Sequence, residues 1–457
     1  MLQESPSLLF NCSRTGEPAA TDLVEKRTWA LLSVLLEGRC VTQFWDRTAN
    51  AATDTIYVPT FPLARWLVGN WWSIFYEPCR WETPPRETDK WTLEQRNWIH
   101  RHCLRSAESG LFLPYLHIYS NGPGVSVCWS EDESQAAPSM PGYFLYSGLA
   151  QLDTCDAKDR LSEFILKVLG WCDGIDDARV DQVHAEWNAI TNADEDEQAF
   201  CRAAARMGQD PYAVDQWDAG LSDLLSKGFN GREDDPIVED LLESAKPDSV
   251  GKLWQWVSST ESSFGLQAGF VPGVGSDRDF HKAKDQGYVV ARQIREAAGM
   301  ALDDPIYKIG SLAGAVGKEP LSFEEHNHLP SKAVLATVGW RSSSKPVIVG
   351  PRPAYRDSNR FLEARGLYQA LIGCQRGARL VTHAHTWDQQ AARAFAAELL
   401  APMEALAGHA KPEMDPEERW DLQKKLAKQY RVSPEVIRLQ LQNHGVWLNA
   451  GDYQVVS

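Results

Sequence analysis

Tryptophan places the strongest constraint on how this chain can fold. Eighteen are present, and nine of them lie before residue 130. An indole carries a large apolar area, so a stretch this rich either builds an aromatic core or presents a recognition surface. The clustering predicts a Trp-rich N-terminal domain, with core packing as the simpler expectation. At 457 residues the chain is too long for one ordinary core, so two or three domains are expected.

The formal charge of -16 repels nucleic-acid phosphates unless a local basic patch overrides it. No run of about 18 apolar residues occurs, so no transmembrane helix is expected. The opening MLQESPSLLFNCSRTGE has no basic stretch ahead of an apolar run and does not read as a signal peptide. A cytoplasmic location is the default expectation. The nine cysteines, at 12, 40, 79, 103, 128, 155, 172, 201 and 374, are scattered, with no C-x-x-C pair. Buried reduced thiols are expected rather than a disulfide framework or a thiolate zinc site.

Periodicity divides the chain. Residues 21–37 carry Leu31, Leu32, Leu35 and Leu36 at helical spacing behind Thr21 or Asp22 as a cap, which predicts a helix. A short strand is expected at 55–60, a buried helix over 63–78, and a strand-turn-strand unit over 111–129 around Asn121-Gly122-Pro123-Gly124. The acidic, Ser- and Pro-rich stretch 131–141 suggests a boundary near 145. Residues 155–257 read as acidic and helical, and 258–280 as a Ser/Gly linker or loop. From 284 onward come an amphipathic helix, a buried strand at 346–350, helices at 359–373 and 388–406, and a helix-turn-helix at 420–445. The predicted architecture is α+β and multidomain: a Trp-rich α+β region at 1–145, an acidic helical middle at 146–257, a linker at 258–283, and a last domain at 284–457.

Three pieces of that last domain carry a family resemblance. ARAFAAELLAP (392–402) resembles the A-N-x-F-A-x-x-L-L-x-P signature of the ImmA/IrrE metallopeptidases. The helix GYVVARQIREAAG followed by DDPI, and the closing LAKQYRVSPEVIRLQL, are similar to the same family. The resemblance spans about residues 285–445 and implies a gluzincin-like zinc-peptidase fold, from a family of mobile-element control and bacterial stress response.

The family's chemistry resides in R-F-x-x-A-H-E-x-x-H, where two histidines one helical turn apart hold zinc and the glutamate is the general base. Arg360, Phe361 and Ala364 match the lead-in, but Arg365, Gly366 and Gln369 stand where the first ligand, the base and the second ligand belong. Arginine has no lone pair for a metal, glycine takes no proton, and glutamine is a poor zinc ligand. The third ligand, a glutamate, is replaced by the run Asp388-Gln389-Gln390-Ala391, and Arg393 stands where the signature has asparagine. Arg365 is expected to pair with Glu363 or Asp388, and its charge in the metal position could take over part of the cation's role.

Zinc has one alternative set, His383 and His385 as an H-x-H pair on one strand face, with Asp388 or Glu363. His326 and His328, and Cys374, are weaker candidates. GFVPGVG at 269–275 lacks the strand-then-helix setting of a phosphate loop and reads as a loop. The expectation is therefore a degenerate active site with no intact catalytic residue and no cofactor. The implied role is a pseudopeptidase that binds a protein or peptide partner as a regulator or sensor, with the old cleft as a peptide groove. Two alternatives stand beside it: an active zinc metalloendopeptidase using displaced ligands, and a DNA-binding regulator through the helix-turn-helix-like segment, whose second helix offers only Arg438.

Overall fold

The structure, a computed structural model, describes residues 8–15, 20–81, 84–85, 91–132, 140–217, 219–225, 229, 232, 235–265, 282–301, 303–326, 332–342, 344–373 and 377–447. The glycine-rich 269–275, His328 and Cys374 lie outside them. The fold is α+β and forms two compact units, residues 1–217 and 218–457. The boundaries read from composition near 145 and at 257 and 283 fall inside these units. Sequence composition tracks solvent exposure, whereas the units are set by which helices cover which sheet.

The first unit begins with β1 (Leu8–Arg14), α1 (Leu23–Thr28), β2 (Trp29–Leu36), β3 (Arg39–Cys40), β4 (Phe44–Asp46), β5 (Ala51–Thr53) and β6 (Ile56–Pro59). Helices α2 (Phe61–Gly69), α3 (Trp71–Tyr76) and α4 (Leu93–His102) follow, then β7 (Tyr115–Ser120), β8 (Val125–Ser130), β9 (Gly142–Phe144) and β10 (Gly148–Leu152). Helices α5 (Thr154–Trp171), α6 (Ala178–Asn192) and α7 (Glu195–Arg206) complete it and pack within this unit. Its small sheets are antiparallel, with β2 flanked by β1 on one edge and by β3 and β6 on the other.

The helix expected over 21–37 is corrected. Asp22 does cap a helix, accepting from the Glu25 amide, but that helix stops at Thr28 and Trp29–Leu36 is a strand. In WALLSVLL nearly every position is apolar, so it fits both periods, and alternate burial of Ala30, Leu32, Val34 and Leu36 decides for the strand. Pairing along its whole length with β1 supplies the hydrogen bonds. The strand-turn-strand over 111–129 is present as β7–β8, with Asn121 closing the turn by accepting from the Gly124 amide.

Tryptophan builds core here, as expected: Trp66, Trp71, Trp72, Trp98 and Trp129 are buried. Trp71 meets Trp187 edge-on at 5.0 Å. Trp98 stacks on His102 at 4.4 Å beneath a buried carboxylate, Glu77, which accepts from Arg101 Nε and Nη2 (both 2.6 Å) and pairs with His102 Nε2 at 3.1 Å.

The second unit contains α8 (Ala219–Asp223), α9 (Pro236–Ser244), α10 (Val250–Ser262) and α11 (Ala283–Ala297), then β11 (Ser322–Glu325), β12 (Val334–Trp340) and β13 (Pro346–Gly350). Helix α12 (Arg356–Tyr368) runs on through a π-turn to Gly373. Strand β14 (Arg379–Thr382), α13 (Trp387–Leu400), α14 (Met403–Ala407), α15 (Pro416–Tyr430) and α16 (Pro434–Asn443) follow. The sheet order is β11-β13-β12-β14, with β11 parallel to β13 and the other pairings antiparallel, so β14 is an edge strand. Helices α11 and α13 pack at backbone contact: a Cβ on Gly287 would lie 2.3 Å from the Ala391 carbonyl oxygen. Ser433 caps α16 by accepting from the Val436 amide, and Leu426, Ala427, Val432, Ile437 and Leu441 are buried. Among the described residues no helix is long and apolar enough to cross a membrane.

Candidate functional site

Helix α12 places Arg365 and Gln369 one turn apart on one face. Both are buried, at 4% and 0% exposure, and so are Gln389 at 0% and Asp240 at 1%. Gly366 points the other way, onto the sheet. A Cβ there would lie 2.3 Å from Ile348 Cδ1 and 2.7 Å from its Cγ1, so the position expected for a general base is packed against core.

The buried polar groups form one connected chain. Arg365 Nη2 donates to the Thr382 carbonyl at 2.5 Å and to Gln389 Oε1 at 2.7 Å. Gln389 Oε1 also accepts from the Thr382 amide at 3.1 Å. Gln389 Nε2 donates to the Leu380 carbonyl and to Asp240 Oδ2, both at 2.7 Å. The Thr386 hydroxyl, which caps α13, donates to Asp240 Oδ1 at 2.5 Å. Glu243, one turn beyond Asp240 on α9, accepts from the His385 backbone amide. Gln369 Nε2 donates to the Asp388 carbonyl at 3.4 Å.

Electrostatics follow from burial. Removal from water pushes Asp240 up to about 8; Asp388 adds to this, while Thr386, Gln389 and Arg379 oppose it. Burial, reinforced by Arg393, brings Arg365 down to about 9, with Asp240 opposing. The expected partners of Arg365 are corrected. Glu363 accepts from Asn359 instead, and Asp388 is paired with Arg379 at 3.4 Å.

The set His383, His385 and Asp388 is not brought together, because β14 ends at Thr382 and the i, i+2 alternation of a strand does not extend over the two histidines. Both side chains are exposed in the following loop. The protein packed around His385, and then the Arg393 guanidinium, push its pKa down to about 4; the same two influences, with Arg365, lower His383. Among the described residues no three His, Cys, Asp or Glu side chains form a group that could hold a metal ion. His326 lies 6.3 Å from the Trp256 ring. The donors at the degenerate motif do not fit zinc either. Arg365 has no lone pair, Gln369 offers only a neutral amide oxygen, a poor zinc ligand, and the oxygen of Gln389, in the run that replaces the third ligand, is saturated by two N–H donors.

The expected open peptide groove is also corrected at this place: the facing surfaces of α12, β14 and α13 are filled by their own side chains and by Asp240 and Glu243 of α9. Sequence reading missed these two carboxylates because they lie in an acidic helix some 140 residues away, where a solvated face is the ordinary expectation. The one visible signal was the apolar run Ile237, Val238, Leu241 and Leu242 interleaved with them, all 0% exposed. On α16, Arg438 is tied to Glu435 and Gln442 of its own helix. Comparison with models of known protein families and with characterised proteins finds no match for this chain.

Proposed function

We propose that residues 284–457, within the second unit, are a non-hydrolytic form of the ImmA/IrrE metallopeptidase fold that works by binding a protein partner, as a regulator or sensor in bacterial stress response or mobile-element control. One observation carries the non-hydrolytic half of this reading. The positions that the resemblance assigns to two zinc ligands and the base hold Arg365, Gly366 and Gln369, and these are built into the buried core rather than open to substrate. The partner and the biological setting rest on the resemblance. With the α12–α13 face filled, partner contact falls to other surfaces of the unit.

The test has two arms. Equilibrium dialysis of the purified full chain against zinc, with casein hydrolysis read with and without chelator, is expected to give no stoichiometric high-affinity zinc and no chelator-sensitive cleavage. About one tightly held zinc per chain together with such cleavage overturns the reading. For the second half, affinity purification from the native cell is expected to bring down one protein at fixed stoichiometry that rebinds the purified chain directly. Failure of every co-purifying protein to rebind removes the partner-binding role.

A further inference from the structure

A guanidinium taken out of water is costly unless its N–H groups and its charge are met. Arg360 of α12 is 5% exposed, yet its one hydrogen bond is from Nη2 to the Ile306 carbonyl at 2.6 Å. Its Nε and Nη1 are buried without a partner, and no carboxylate among the described residues forms an ion pair with it. Other buried arginines of this unit are met. Arg295 is spread over three carbonyls, and Arg365 shares Gln389 with Asp240.

The charges around Arg360 do not relieve it. Burial lowers its pKa, Arg431 and Arg356 lower it further, and Asp357 and Glu363 oppose them. Glu363 already accepts from Asn359. Arg356 stands one turn before Arg360 on the same helix face, where like charges repel. A helical side chain leans back over the preceding turn, so Arg360 reaches toward the turn that carries Arg356. Arg431 enters from the end of α15, its guanidinium 4.6 Å over the ring of Tyr307, the residue after Ile306. Neither Arg356 nor Arg431 has a carboxylate partner among the described residues, although the chain holds 62 acidic side chains against 46 lysines and arginines. The start of α12 adds positive potential, since no side chain caps its first amides.

We propose that Arg356, Arg360 and Arg431 form a binding site for the phosphate group of a small molecule. The planar donor fork of arginine matches phosphate oxygens, and a dianion offsets three gathered cations better than a single carboxylate does. Arg356 is exposed, Arg431 half-buried and Tyr307 64% exposed, so the site opens to solvent at the Arg431–Tyr307 stack, which an entering anion displaces to reach Arg360. This inference is independent of the functional reading.

The test titrates the full chain by calorimetry, in phosphate-free buffer at constant ionic strength, with inorganic phosphate and with glycerol phosphate. Saturable binding of about one phosphate per chain is expected, with Kd below about 1 mM for at least one of the two. The tighter of the two names the source, free ion or monoester. Arg431→Gln, at a half-buried helix end, is expected to weaken that Kd about 10-fold or more. Arg360→Met, which removes the unpaired charge, is expected to abolish binding. No saturable binding of either probe by the folded wild type overturns the proposal, and so does binding that Arg431→Gln leaves unchanged. Should Arg360→Met not fold, Arg431→Gln decides alone.

Discussion

Replacing Asp240 by asparagine isolates the cost of a buried acid. In the unfolded chain this carboxyl ionises near its ordinary 3.8, whereas burial in the folded protein moves it to about 8. The folded state therefore favours the protonated acid. The stability this contributes is fully present below pH 3.8, declines as pH rises, and is gone once pH passes about 8. Each pH unit in that interval costs about 1.4 kcal/mol, so the wild type loses on the order of 4 kcal/mol between pH 5 and pH 8 through this group alone. Asparagine is neutral throughout. Its amide nitrogen can donate to the Thr386 hydroxyl while its oxygen accepts from Gln389 Nε2, which preserves the contacts with α13. Arg365, at about 9, stays mostly protonated over this range and adds little slope of its own. Urea unfolding at pH 5, 6, 7 and 8, followed by hydrogen exchange in β14, reports the stability of the second unit. Asp240→Asn is expected to lose far less stability than wild type across the series, and to be the more stable of the two at pH 8. Parallel pH profiles for the two proteins would refute the reasoning, since they would mean that Asp240 ionises normally in the folded state.

Two other changes test the packing and the first unit. Gly366→Ala puts a methyl into the space of Ile348, which is 0% exposed, and is expected to cost about 1–3 kcal/mol in urea unfolding, with part of it recovered by adding Ile348→Val. In the first unit, burial alone would raise Glu77, but hydrogen bonds from His102 and Arg101 outweigh it and hold the carboxyl at about 2. Its contribution is therefore present above the ordinary carboxylate range near 4.5 and lost as pH falls toward 2. Glu77→Gln, which leaves Arg101 and His102 without their anion, is expected to destabilise by about 3–5 kcal/mol at pH 7, and calorimetry of the first unit's transition checks it.

How much of this was legible from sequence depended on range. The helix over 285–300, the strand at 346–350 and the helix pair closing at 445 all sit close to where periodicity put them, because an amphipathic stripe or a short apolar run is a local property. The replacement of the motif residues was equally plain, since it needs only the identities of Arg365, Gly366 and Gln369. What those residues touch was not. The expected partners of Arg365 were acids nearby in sequence, whereas the carboxylate that completes its network comes from α9 through Gln389.

Caps, turns and helical faces were decided by the sequence alone: Asp22, Ser433 and Asn121 bond within four residues of themselves, and no distant contact is needed to satisfy them. The tertiary structure decided the rest. Trp29–Leu36 is apolar at almost every position and became a strand because β1 on one side and β3 and β6 on the other offered matching edges. Likewise Asp240 reads as one more acid on an acidic helix until folding brings Gln389 and Thr386 to it. Burial changes a residue's chemistry, and burial is settled by elements far apart in the chain.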